Sequence, residues 1–344
     1  MDHPGFLSAA DLAESIDGVD GAVFRNARVL VTGAGGCLGG AIAEALLALR
    51  RGGVPLEVLA AGRDVAALRR RFGDAARLVP LDLARPVVLP DDLRPTMAVH
   101  AASPASPRDY LARPVDTLQI NAAGITAIAS ALPRGARMLY FSSGEIYGSP
   151  ASAHVPTPES YAAASDPLSE RACYVEAKRH GEALMAAWQR QHGLHALIAR
   201  PIHVYGPGLR PDDGRVICDF VANAIAGRPI RMLSDGSPRR SFCYLSDATR
   251  LLLRILASGA AGEAWNVGRD APLISIAELA AQVAQAVAPV AIERGQAAHA
   301  TGSPQQSCPD MAKARRDFAY APRIALDEGL RRLAASFREK RHAG

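Results

Sequence analysis

The sequence has few cysteines and no long hydrophobic run. Its five cysteines are scattered, odd in number and without CxxC spacing, which argues against a disulfide framework and against a zinc or other metal site. No apolar run reaches the roughly 18–20 residues needed to span a bilayer, so we expect no membrane segment. The first 27 residues hold five acidic residues and no apolar signal core, and we therefore expect a cytoplasmic protein.

Lysine is nearly absent as well. Of the 39 basic residues only Lys178, Lys313 and Lys340 are lysine, and the others are arginine. Ammonium and guanidinium groups are not interchangeable, so a lysine in the middle of such a chain suggests a chemical requirement at that position. No basic block interleaved with aromatic residues is present, and the net charge of +5 is compatible with an anionic small substrate, so we expect no nucleic-acid partner.

Short apolar strands alternate with helices over the first 200 residues, and this predicts an α/β fold with a doubly wound parallel sheet of the Rossmann type. The strands are predicted at Arg28–Val31, Leu56–Ala61, Leu78–Leu81, Met97–His100, Met138–Phe141 and Ala196–Ala199. Glycine and proline turns after Pro201 indicate a smaller, loop-rich C-terminal substrate lobe. We therefore expect an N-terminal extension (1–26), a Rossmann domain (27–200) and a substrate lobe (201–338) with interleaved elements.

A glycine-rich segment lies between the first predicted strand and the helix that follows. Gly33, Gly36 and Gly39 form a GxxGxxG pattern around Cys37 and Leu38. Glycine at these positions permits a tight turn, a close approach of the backbone to a pyrophosphate, and close packing of the helix on the strand. The N–H groups of the first helical turn are then available to phosphates. The pattern predicts that the Rossmann domain binds a dinucleotide through these five residues.

The residues after the second and third strands bear on the identity of the dinucleotide. A carboxylate at the end of the second strand usually accepts the adenosine ribose hydroxyls in NAD enzymes, but Gly62 and Arg63 stand there, followed by Asp64. Arg63 can bind a 2′-phosphate and select NADP, or stack on adenine with NAD bound. Asp82, after the third strand, can accept from the adenine amino group or cap a turn. These residues are compatible with both NAD and NADP.

Tyr174 and Lys178 are four residues apart in a predicted helix, so their side chains lie on one face. A phenol that acts as a base near neutral pH must have its pKa lowered by about 3, which corresponds to about 4 kcal/mol. A cation about 6 Å away, at an effective dielectric constant near ~20, supplies about 2.8 kcal/mol, and a positively charged nicotinamide ring can supply the rest. We predict that Tyr174 is a catalytic base assisted by Lys178, and that both contact the cofactor.

Polar residues follow the fifth predicted strand, at the edge of the sheet where the carboxyl ends of parallel strands open onto an active site. Ser143 can hold the reacting hydroxyl beside Tyr174. Glu145 can move a proton or activate water at a neighbouring carbon. A capping or surface role is the other explanation of Glu145. We predict that Ser143 and Glu145 are catalytic and contact the substrate.

Taken together, these motifs resemble the extended short-chain dehydrogenase/reductase family, the NAD-dependent sugar epimerases and dehydratases, over nearly all of residues 27–338. The matching segments are Val31–Gly39, His100–Ser103, Phe141–Ser143, Tyr174 with Lys178, Ala199–Pro201, Tyr205–Gly208, and Arg240–Phe242 with Tyr244 and Asp247. The resemblance implies a bound NAD and a nucleotide-sugar substrate. The further cofactor contacts that it implies are those of Leu83, Ala101, Ala102, Ser103 and Arg200.

Within this family the sequence is most similar to UDP-glucuronate decarboxylases, in Ala102–Pro107, Arg171–Arg179 and Asp213–Val216. That resemblance implies oxidation at sugar carbon 4, loss of carbon dioxide from the resulting β-keto acid, and return of the hydride. It implies that Glu145 and Arg240 bind the sugar carboxylate and the nucleotide phosphates. The other substrate contacts that it implies are those of Ser143, His203 and Arg215.

Two residues depart from the patterns of these relatives. Gly144 stands where the decarboxylase pattern has Ser and the 4,6-dehydratase pattern has Asp, which disfavours dehydratase chemistry. His203 stands where relatives commonly have an Asn that binds the diphosphate, and we expect its charge to vary with pH. The alternative function is a nucleotide-sugar 4-epimerase, which uses the same Tyr174, Lys178 and Ser143. A non-catalytic dinucleotide-binding protein is a third hypothesis.

The family resemblance also implies a homodimer. In it, the helices near Thr117–Leu132 and Tyr174–His192 pair with a second subunit as a four-helix bundle. Their periodicity alone is equally compatible with packing inside one subunit. Residues 1–26 precede the usual start of the family, where they can cap the Rossmann domain or extend a subunit contact.

Overall fold

A computed structural model describes residues 5–295 and 304–342 of the chain. In these ranges the strands are β1 (Ala27–Thr32), β2 (Leu56–Gly62), β3 (Arg77–Pro80), β4 (Met97–His100), β5 (Arg137–Phe141), β6 (His195–Pro201), β7 (Val204–Tyr205), β8 (Ile230–Arg231), β9 (Arg239–Arg240), β10 (Cys243–Tyr244), β11 (Glu263–Val267), β12 (Ile274–Ser275), β13 (Ile292–Glu293) and β14 (Gln306–Ser307). The helices are α1 (Ala9–Ile16), α2 (Cys37–Arg51), α3 (Val65–Phe72), α4 (Pro107–Ala112), α5 (Pro114–Ser130), α6 (Ala172–His192), α7 (Val216–Ile225), α8 (Leu245–Ser258), α9 (Ile276–Ala286), α10 (Ala312–Phe318) and α11 (Leu326–His342). Short 3-10 turns lie at Gly21–Phe24, Gly144–Tyr147 and Ser152–His154.

Seven strands form the central sheet, in the order β11-β6-β5-β4-β1-β2-β3. Every neighbouring pair in this sheet is parallel. The chain order reverses between β1 and β4, so the carboxyl ends of these two strands flank a crevice of the kind in which doubly wound folds bind ligands. The predicted Rossmann-type α/β fold is confirmed.

Alternating side chains of β1 explain why helices cover both faces of the sheet. Val29 and Val31 belong to the apolar cluster shared with α2 and α8, whereas Leu30 belongs to the cluster shared with α5 and α6. All three side chains are completely buried. A parallel strand that is buried on both faces needs apolar residues at successive positions, and this is the pattern of β1.

The six strands predicted from the sequence all occur, each with ends within two residues of the predicted ones. The seventh, β11, is missing from the prediction because Glu263 and Asn266 interrupt its apolar pattern. Asn266 is nevertheless completely buried. Its side-chain amide donates to the carbonyls of Thr157 and Asp310, both at 3.0 Å, so this strand fastens two loops to the edge of the sheet.

A separate apolar cluster gathers the later helices. Helices α7, α9 and α11 pack around Phe220, Val221, Leu279 and Leu333, none more than 2% exposed. Strand β11 instead lies beside β6 in the central sheet, so the chain after residue 201 contributes to both layers. The predicted division into an extension, a Rossmann domain and a lobe stays a prediction.

In the described part of the N-terminal extension, residues 5–8 lead into α1, and a short connector follows this helix. Ser8 caps α1 by accepting the N–H of Asp11, while the Asp11 carboxylate accepts the N–H of Ser8. Helix α1 packs on α8 and α2. Its Glu14 accepts a hydrogen bond from Arg332 of α11 (2.9 Å), so the extension contacts both the central domain and the later helices.

Membrane helices, metal ions and disulfides can each anchor or cross-link a chain. In the described part of the chain, no helix combines the length and the apolar character that a membrane crossing requires. Residues 5–295 and 304–342 contain no cluster of three or more His, Cys, Asp and Glu side chains that could hold a metal ion. The five cysteines form no disulfide.

We expect Asp247→Ala to lower the free energy of unfolding by about 3–5 kcal/mol, because it removes one partner of a buried ion pair. Asp247 is 1% exposed and accepts from Arg250 (2.6 Å) and from the N–H groups of Arg323 and Ile324, both at 2.9 Å. Urea denaturation at neutral pH measures the loss.

The matched control is Asp327→Ala. Asp327 forms an exposed pair with Arg331 at 2.9 Å, and such pairs contribute about 0.2–1 kcal/mol. Equal losses for the two variants would contradict the structural role of Asp247.

Candidate active site

The glycine-rich turn between β1 and α2 leaves no room for side chains. Gly33 has a φ of +68°, and a Cβ on it would lie 2.8 Å from the Cα of Ala102, just after β4. A Cβ on Gly39 would lie 2.5 Å from the carbonyl oxygen of Gly33. Helix α2 begins at Cys37, and Gly36 at its N-cap has no side chain with which to cap it. The N-terminal end of this helix, which carries the positive end of the helix dipole, favours a bound anion.

The ends of β2 and β3 show how the residues predicted to select the dinucleotide are placed. Arg63 is exposed. Asp64 accepts the N–H of Ala67 (2.8 Å) as the N-cap of α3, and Asp82 accepts the N–H of Ala84 (3.2 Å) in a turn. Both acids thus have local partners, which leaves Arg63 as the side chain at the end of β2 that is open to a ligand. The cofactor contacts of Arg63 and Asp82 stay predictions.

Further predicted cofactor residues lie close to the glycine turn. Ala101 and Ala102 follow β4 and contact the turn directly, as the Gly33 and Gly39 distances show. Ser103 accepts a hydrogen bond from Asn121 (3.0 Å). Leu83 and Leu38 are apolar side chains in this region, the first buried and the second half-buried.

Arg200 differs from these residues because the protein itself holds its side chain. The guanidinium donates two hydrogen bonds to the carboxylate of Glu182, at 2.9 and 2.7 Å. It also donates to the Tyr147 hydroxyl (2.9 Å) and to the carbonyl of Glu159 (2.7 Å). These partners fix the loops next to β6, and a cofactor contact of Arg200 stays a prediction.

Tyr174 and Lys178 lie on the buried face of α6. They are 7% and 3% exposed, and Lys178 Nζ lies 5.6 Å from the centroid of the Tyr174 ring. Lys178 donates to the carbonyl of Phe141 at the end of β5 (2.8 Å) and to the amide oxygen of Asn121 on α5 (2.9 Å). The pair therefore shares one helix face beside the carboxyl end of the sheet.

Burial dominates the titration of this pair. It lowers the pKa of Lys178 from 10.5 to about 7, because the hydrogen-bond partners of the ammonium group are neutral oxygens. Burial also raises the pKa of Tyr174, against the opposing effect of a hydrogen bond with Ser143. The protein groups alone therefore raise the phenol's pKa, and the lowering expected when a nicotinamide ring is also present stays a prediction.

The segment after β5 brings Ser143 and Glu145 to Tyr174. The Ser143 hydroxyl accepts the N–H of Glu145 (3.2 Å) and hydrogen-bonds the Tyr174 phenol. The Glu145 carboxylate accepts from Arg171, the N-cap residue of α6, at 2.7 Å. The negative charge of Glu145 raises the pKa of Tyr174, so the two groups are within electrostatic reach. The Glu145 side chain is 41% exposed and accessible to a solute.

Packing explains the glycine at position 144. A Cβ on Gly144 would lie 2.3 Å from Cγ1 of Ile202, which follows β6 and is 5% exposed. Ile202 therefore occupies the space that a larger residue at 144 would need. A carboxylate at this position requires a different residue at 202.

The three other predicted substrate residues are electrostatically coupled. Burial, together with the charges of Arg240 and Arg215, lowers the pKa of His203 to about 3. His203 is thus neutral near pH 7, and the expectation that its charge varies with pH in that range is wrong. Its Nε2 lies 2.9 Å from the hydroxyl of Ser307. Against the larger effect of burial, the charge of Arg215 lowers the pKa of Tyr174, and the charge of Glu145 raises the pKa of Arg240. The predicted catalytic and substrate residues therefore lie in one region.

Hydrogen bonds to the main chain fix the two arginines. Arg215 pairs with Asp213 (3.0 Å) and donates to the carbonyl of Ala105 (3.3 Å), which links the start of α7 to the loop after β4. Arg240 donates to the carbonyl of Pro304 (2.7 Å) and is 7% exposed.

Asn121 is a site residue that the sequence analysis missed. It is completely buried in α5, and its amide oxygen accepts from both Lys178 (2.9 Å) and the Tyr140 hydroxyl (2.9 Å). The signal that could have revealed it is a polar residue on the apolar face of a predicted helix.

Tyr110 is the second missed residue. Its ring stacks on that of Tyr174, with centroids 4.8 Å apart and an angle of 17° between the planes. Burial raises the pKa of Tyr110 to about 12, so it stays protonated. No pattern in the sequence predicts that Tyr110 contacts a residue of α6.

Comparison with known proteins agrees with this geometry. A model of the NAD-dependent epimerase/dehydratase family matches residues 29–268. UDP-glucuronic acid decarboxylase 3 of Arabidopsis thaliana is 33% identical over 315 residues, which cover 91% of this chain and 90% of that protein.

Solved structures show the same fold. A dTDP-glucose 4,6-dehydratase from Streptomyces venezuelae, solved with NAD bound, has a TM-score of 0.75 at 25% identity and covers 92% of this chain and 98% of its own. A UDP-glucose 4-epimerase from Thermotoga maritima, solved with UDP-glucose, has a TM-score of 0.76 at 21% identity and covers 91% and 99%. The family model spans most of the sheet, the glycine turn and the Tyr174–Lys178 helix, and the chain therefore belongs to the NAD-dependent epimerase/dehydratase family.

Proposed function

We propose that the protein is an NAD-dependent decarboxylase of a UDP-hexuronate, with UDP-glucuronate as the first substrate to test. The observation that supports it is the position of the Glu145–Arg171 pair beside Tyr174 and Ser143. A guanidinium suits the carboxylate of a sugar acid next to the carbon that is oxidised, and the Glu145 carboxylate can move a proton there. The Arabidopsis thaliana relative is itself named a UDP-glucuronic acid decarboxylase.

The proposed cofactor is NAD. The turn fits a dinucleotide, because Gly33 and Gly39 allow the tight turn and the close packing of α2 on β1, and Gly36 places no side chain between the backbone and a pyrophosphate. Gly36, Cys37 and Leu38, at the start of α2, would bring the positive end of the helix dipole to it. Bound NAD supplies a hydride acceptor and a positive ring charge. The exposed Arg63 makes NADP the second nucleotide for a binding test.

Tyr174 is the base in the proposed oxidation. Its phenolate takes the proton of the hydroxyl on carbon 4, while Ser143 holds that hydroxyl by a hydrogen bond. Lys178, fixed by the Phe141 carbonyl and by Asn121, stabilises the phenolate through its charge. Because burial raises the pKa of Tyr174, the free protein holds the phenol protonated at neutral pH, and the phenol must release this proton to water before it acts as the base.

The ketone formed at carbon 4 turns the hexuronate into a β-keto acid. When the bond between carbon 5 and the carboxylate breaks, carbon dioxide leaves and the electron pair moves to the carbon-4 oxygen as an enolate, to which the Tyr174 phenol donates a hydrogen bond while keeping its proton. Carbon 5 then gains a proton, and Glu145 is the proposed residue that delivers it or positions the water that does. Return of the hydride and of the Tyr174 proton gives a UDP-pentose.

The nucleotide would bind on the side of the site that contains Arg240 and Arg215. Arg240 and Arg215 are the proposed diphosphate ligands, since guanidinium groups bind phosphate oxygens in bidentate fashion. His203, neutral near pH 7, contributes a hydrogen bond and no charge.

The alternative function is a 4-epimerase of a nucleotide sugar, which needs the same Tyr174, Lys178 and Ser143 but no chemistry at carbon 5. The Thermotoga maritima structure is an epimerase of the same fold. A 4,6-dehydratase is disfavoured because Ile202 fills the space that an acid at position 144 would occupy.

Incubation of the purified protein with UDP-glucuronate and NAD⁺ is expected to release carbon dioxide and form a UDP-pentose, both followed by mass spectrometry. Tyr174→Phe is expected to lower kcat by about 10²–10⁴-fold, because the base is lost. Lys178→Met should lower kcat as well, whereas Lys313→Met, which removes a lysine paired with Glu263 on the protein surface, should not. A product that keeps its carboxylate with carbon 4 inverted would show the epimerase instead.

Glu145→Gln separates oxidation from decarboxylation. We expect this variant to reduce NAD⁺ on addition of UDP-glucuronate, seen as nicotinamide absorbance, while carbon dioxide release falls by about 10²-fold. Glu176→Gln is the control, since Glu176 lies on the same helix as Tyr174 but faces Arg179. Wild-type release from Glu145→Gln would remove Glu145 from the mechanism.

A homodimer is the proposed assembly. Leu111, Val115, Leu118 and Leu168 are large apolar side chains that are each at least 43% exposed. They belong to α4, α5 and the segment before α6, and Leu118 lines a groove together with Pro167 and Cys173. Adjoining exposed apolar side chains are typical of an interface between proteins.

The double substitution Val115→Glu and Leu118→Glu is expected to give a monomer, because it places two charges in this apolar surface. Size-exclusion chromatography with light scattering measures the mass. Leu233→Glu, at a side chain 86% exposed in another region, should leave the dimer intact. A dimer in all variants would place the interface elsewhere.

A further inference from the structure

A buried ion pair lies behind the glycine-rich turn. Arg71 of α3 and Glu44 of α2 are 3% and 5% exposed, and their side chains meet at 2.5 Å. Arg71 Nη1 also donates to the carbonyl of Gly36 (2.7 Å), the N-cap residue of α2, and lies 3.5 Å from the carbonyl of Ala34. The guanidinium therefore holds two carbonyls of the turn from the side of the protein interior.

The N-terminal extension is anchored on this pair. The Glu44 carboxylate accepts the N–H groups of Phe6 (3.1 Å) and Leu7 (3.0 Å), one on each oxygen. The guanidinium carbon of Arg71 lies 4.2 Å from the centroid of the Phe6 ring, a cation–π contact. Glu44 and Arg71 thus connect the chain before α1 to the turn between β1 and α2.

Phe6 also reaches the loop after β7. A Cβ on Gly208, which has a φ of +97°, would lie 3.6 Å from Cδ2 of Phe6 and 3.2 Å from the Cα of Cys37. Cys37 is the first residue of α2, and its thiol lies 3.5 Å from the carbonyl of Pro207. The extension therefore packs where the turn meets the later part of the chain.

Gly40 provides the space for Arg71. A Cβ on Gly40 would lie 1.9 Å from Nη1 and 2.1 Å from Cζ of the guanidinium. Because the guanidinium is buried and donates to Glu44 through Nε and to Gly36 through Nη1, it cannot move without losing these hydrogen bonds. A single methyl group at position 40 is therefore enough to displace Arg71.

The charges are ordered along α2 in a way that favours an anion at its N-terminus. A lone cation near the start of a helix is unfavourable, but Glu44, two turns further along, neutralises Arg71. The positive end of the pair lies at the turn and the negative end lies further along the helix, which is the direction of the helix dipole.

We propose that Phe6, Leu7, Glu44 and Arg71 are positioning residues of the dinucleotide-binding turn, so that the N-terminal extension strengthens dinucleotide binding. This inference rests on the proposed function, in which the turn binds NAD. The residues act through the carbonyls of the turn and need not touch the dinucleotide themselves.

The test measures the Kd for NAD⁺ by isothermal titration calorimetry on protein freed of nucleotide. Arg71→Met combined with Glu44→Gln removes both buried charges at once, so that no unpaired charge is left to unfold the protein. This double variant and Gly40→Ala are each expected to raise the Kd about tenfold or more, and Phe6→Ala about threefold. A tenfold change corresponds to about 1.4 kcal/mol.

The control is Glu14→Gln. Glu14 lies in the same extension but binds Ser246 (2.8 Å) and Arg332, away from the turn, so its substitution should leave the Kd unchanged. Thermal unfolding without nucleotide is recorded for every variant. Variants with a lowered melting temperature and the wild-type Kd would show that the pair is only structural, which overturns the inference and leaves the proposed function standing. A wild-type protein that binds neither NAD⁺ nor NADP⁺ would overturn the proposed function itself.

Discussion

The burial of Lys178 without a carboxylate partner is the interaction on which the proposed chemistry depends. Its ammonium group is held by a backbone carbonyl and a side-chain amide, which orient it but do not neutralise it. Its charge is therefore costly, and the pKa near 7 expresses that cost. The same burial keeps the Tyr174 proton in place. We therefore expect Tyr174 to lose its proton only when a positive charge, such as that of a nicotinamide ring, binds in the crevice. Without that charge the protein holds Tyr174 in its protonated, unreactive form.

The sheet brings the parts of the site together from distant regions of the sequence. The glycine turn follows β1, the Ala101–Ser103 segment follows β4, Ser143 follows β5, and Ile202 and His203 follow β6. Because all these strands are parallel, their carboxyl ends lie at one edge. The Tyr174–Lys178 pair comes from a helix instead, and Asn121 on the neighbouring helix fixes the position of Lys178 against that edge.

What could be predicted from the sequence was local. The strands of the central sheet, the GxxGxxG turn and the spacing of Tyr174 and Lys178 each depend on a few consecutive residues, so periodicity and spacing reveal them. Strand β11 is not predicted because the buried Asn266 interrupts its apolar pattern, and the hydrogen-bond partners of this side chain lie in two loops distant in sequence. Asn121 and Tyr110 are not predicted because their roles depend on contacts between helices.

Electrostatic expectations failed for a related reason. The sequence shows which charges exist but not how deeply they are buried. Burial raises the pKa of Tyr174 in the protein alone and makes His203 neutral near pH 7. The contribution of the N-terminal extension is equally hidden, since Glu44 and Arg71 resemble ordinary helix-surface residues until the fold buries them against each other.

The contact between Gly144 and Ile202 has a consequence for how such an enzyme can change over evolutionary time. An acid at 144 alone collides with Ile202, and a small residue at 202 alone leaves a buried void that costs about 2–5 kcal/mol. Each single step is harmful, and only the two changes together restore a filled interior. Packing therefore couples positions 144 and 202, and a change at either one is expected to need a compensating change at the other.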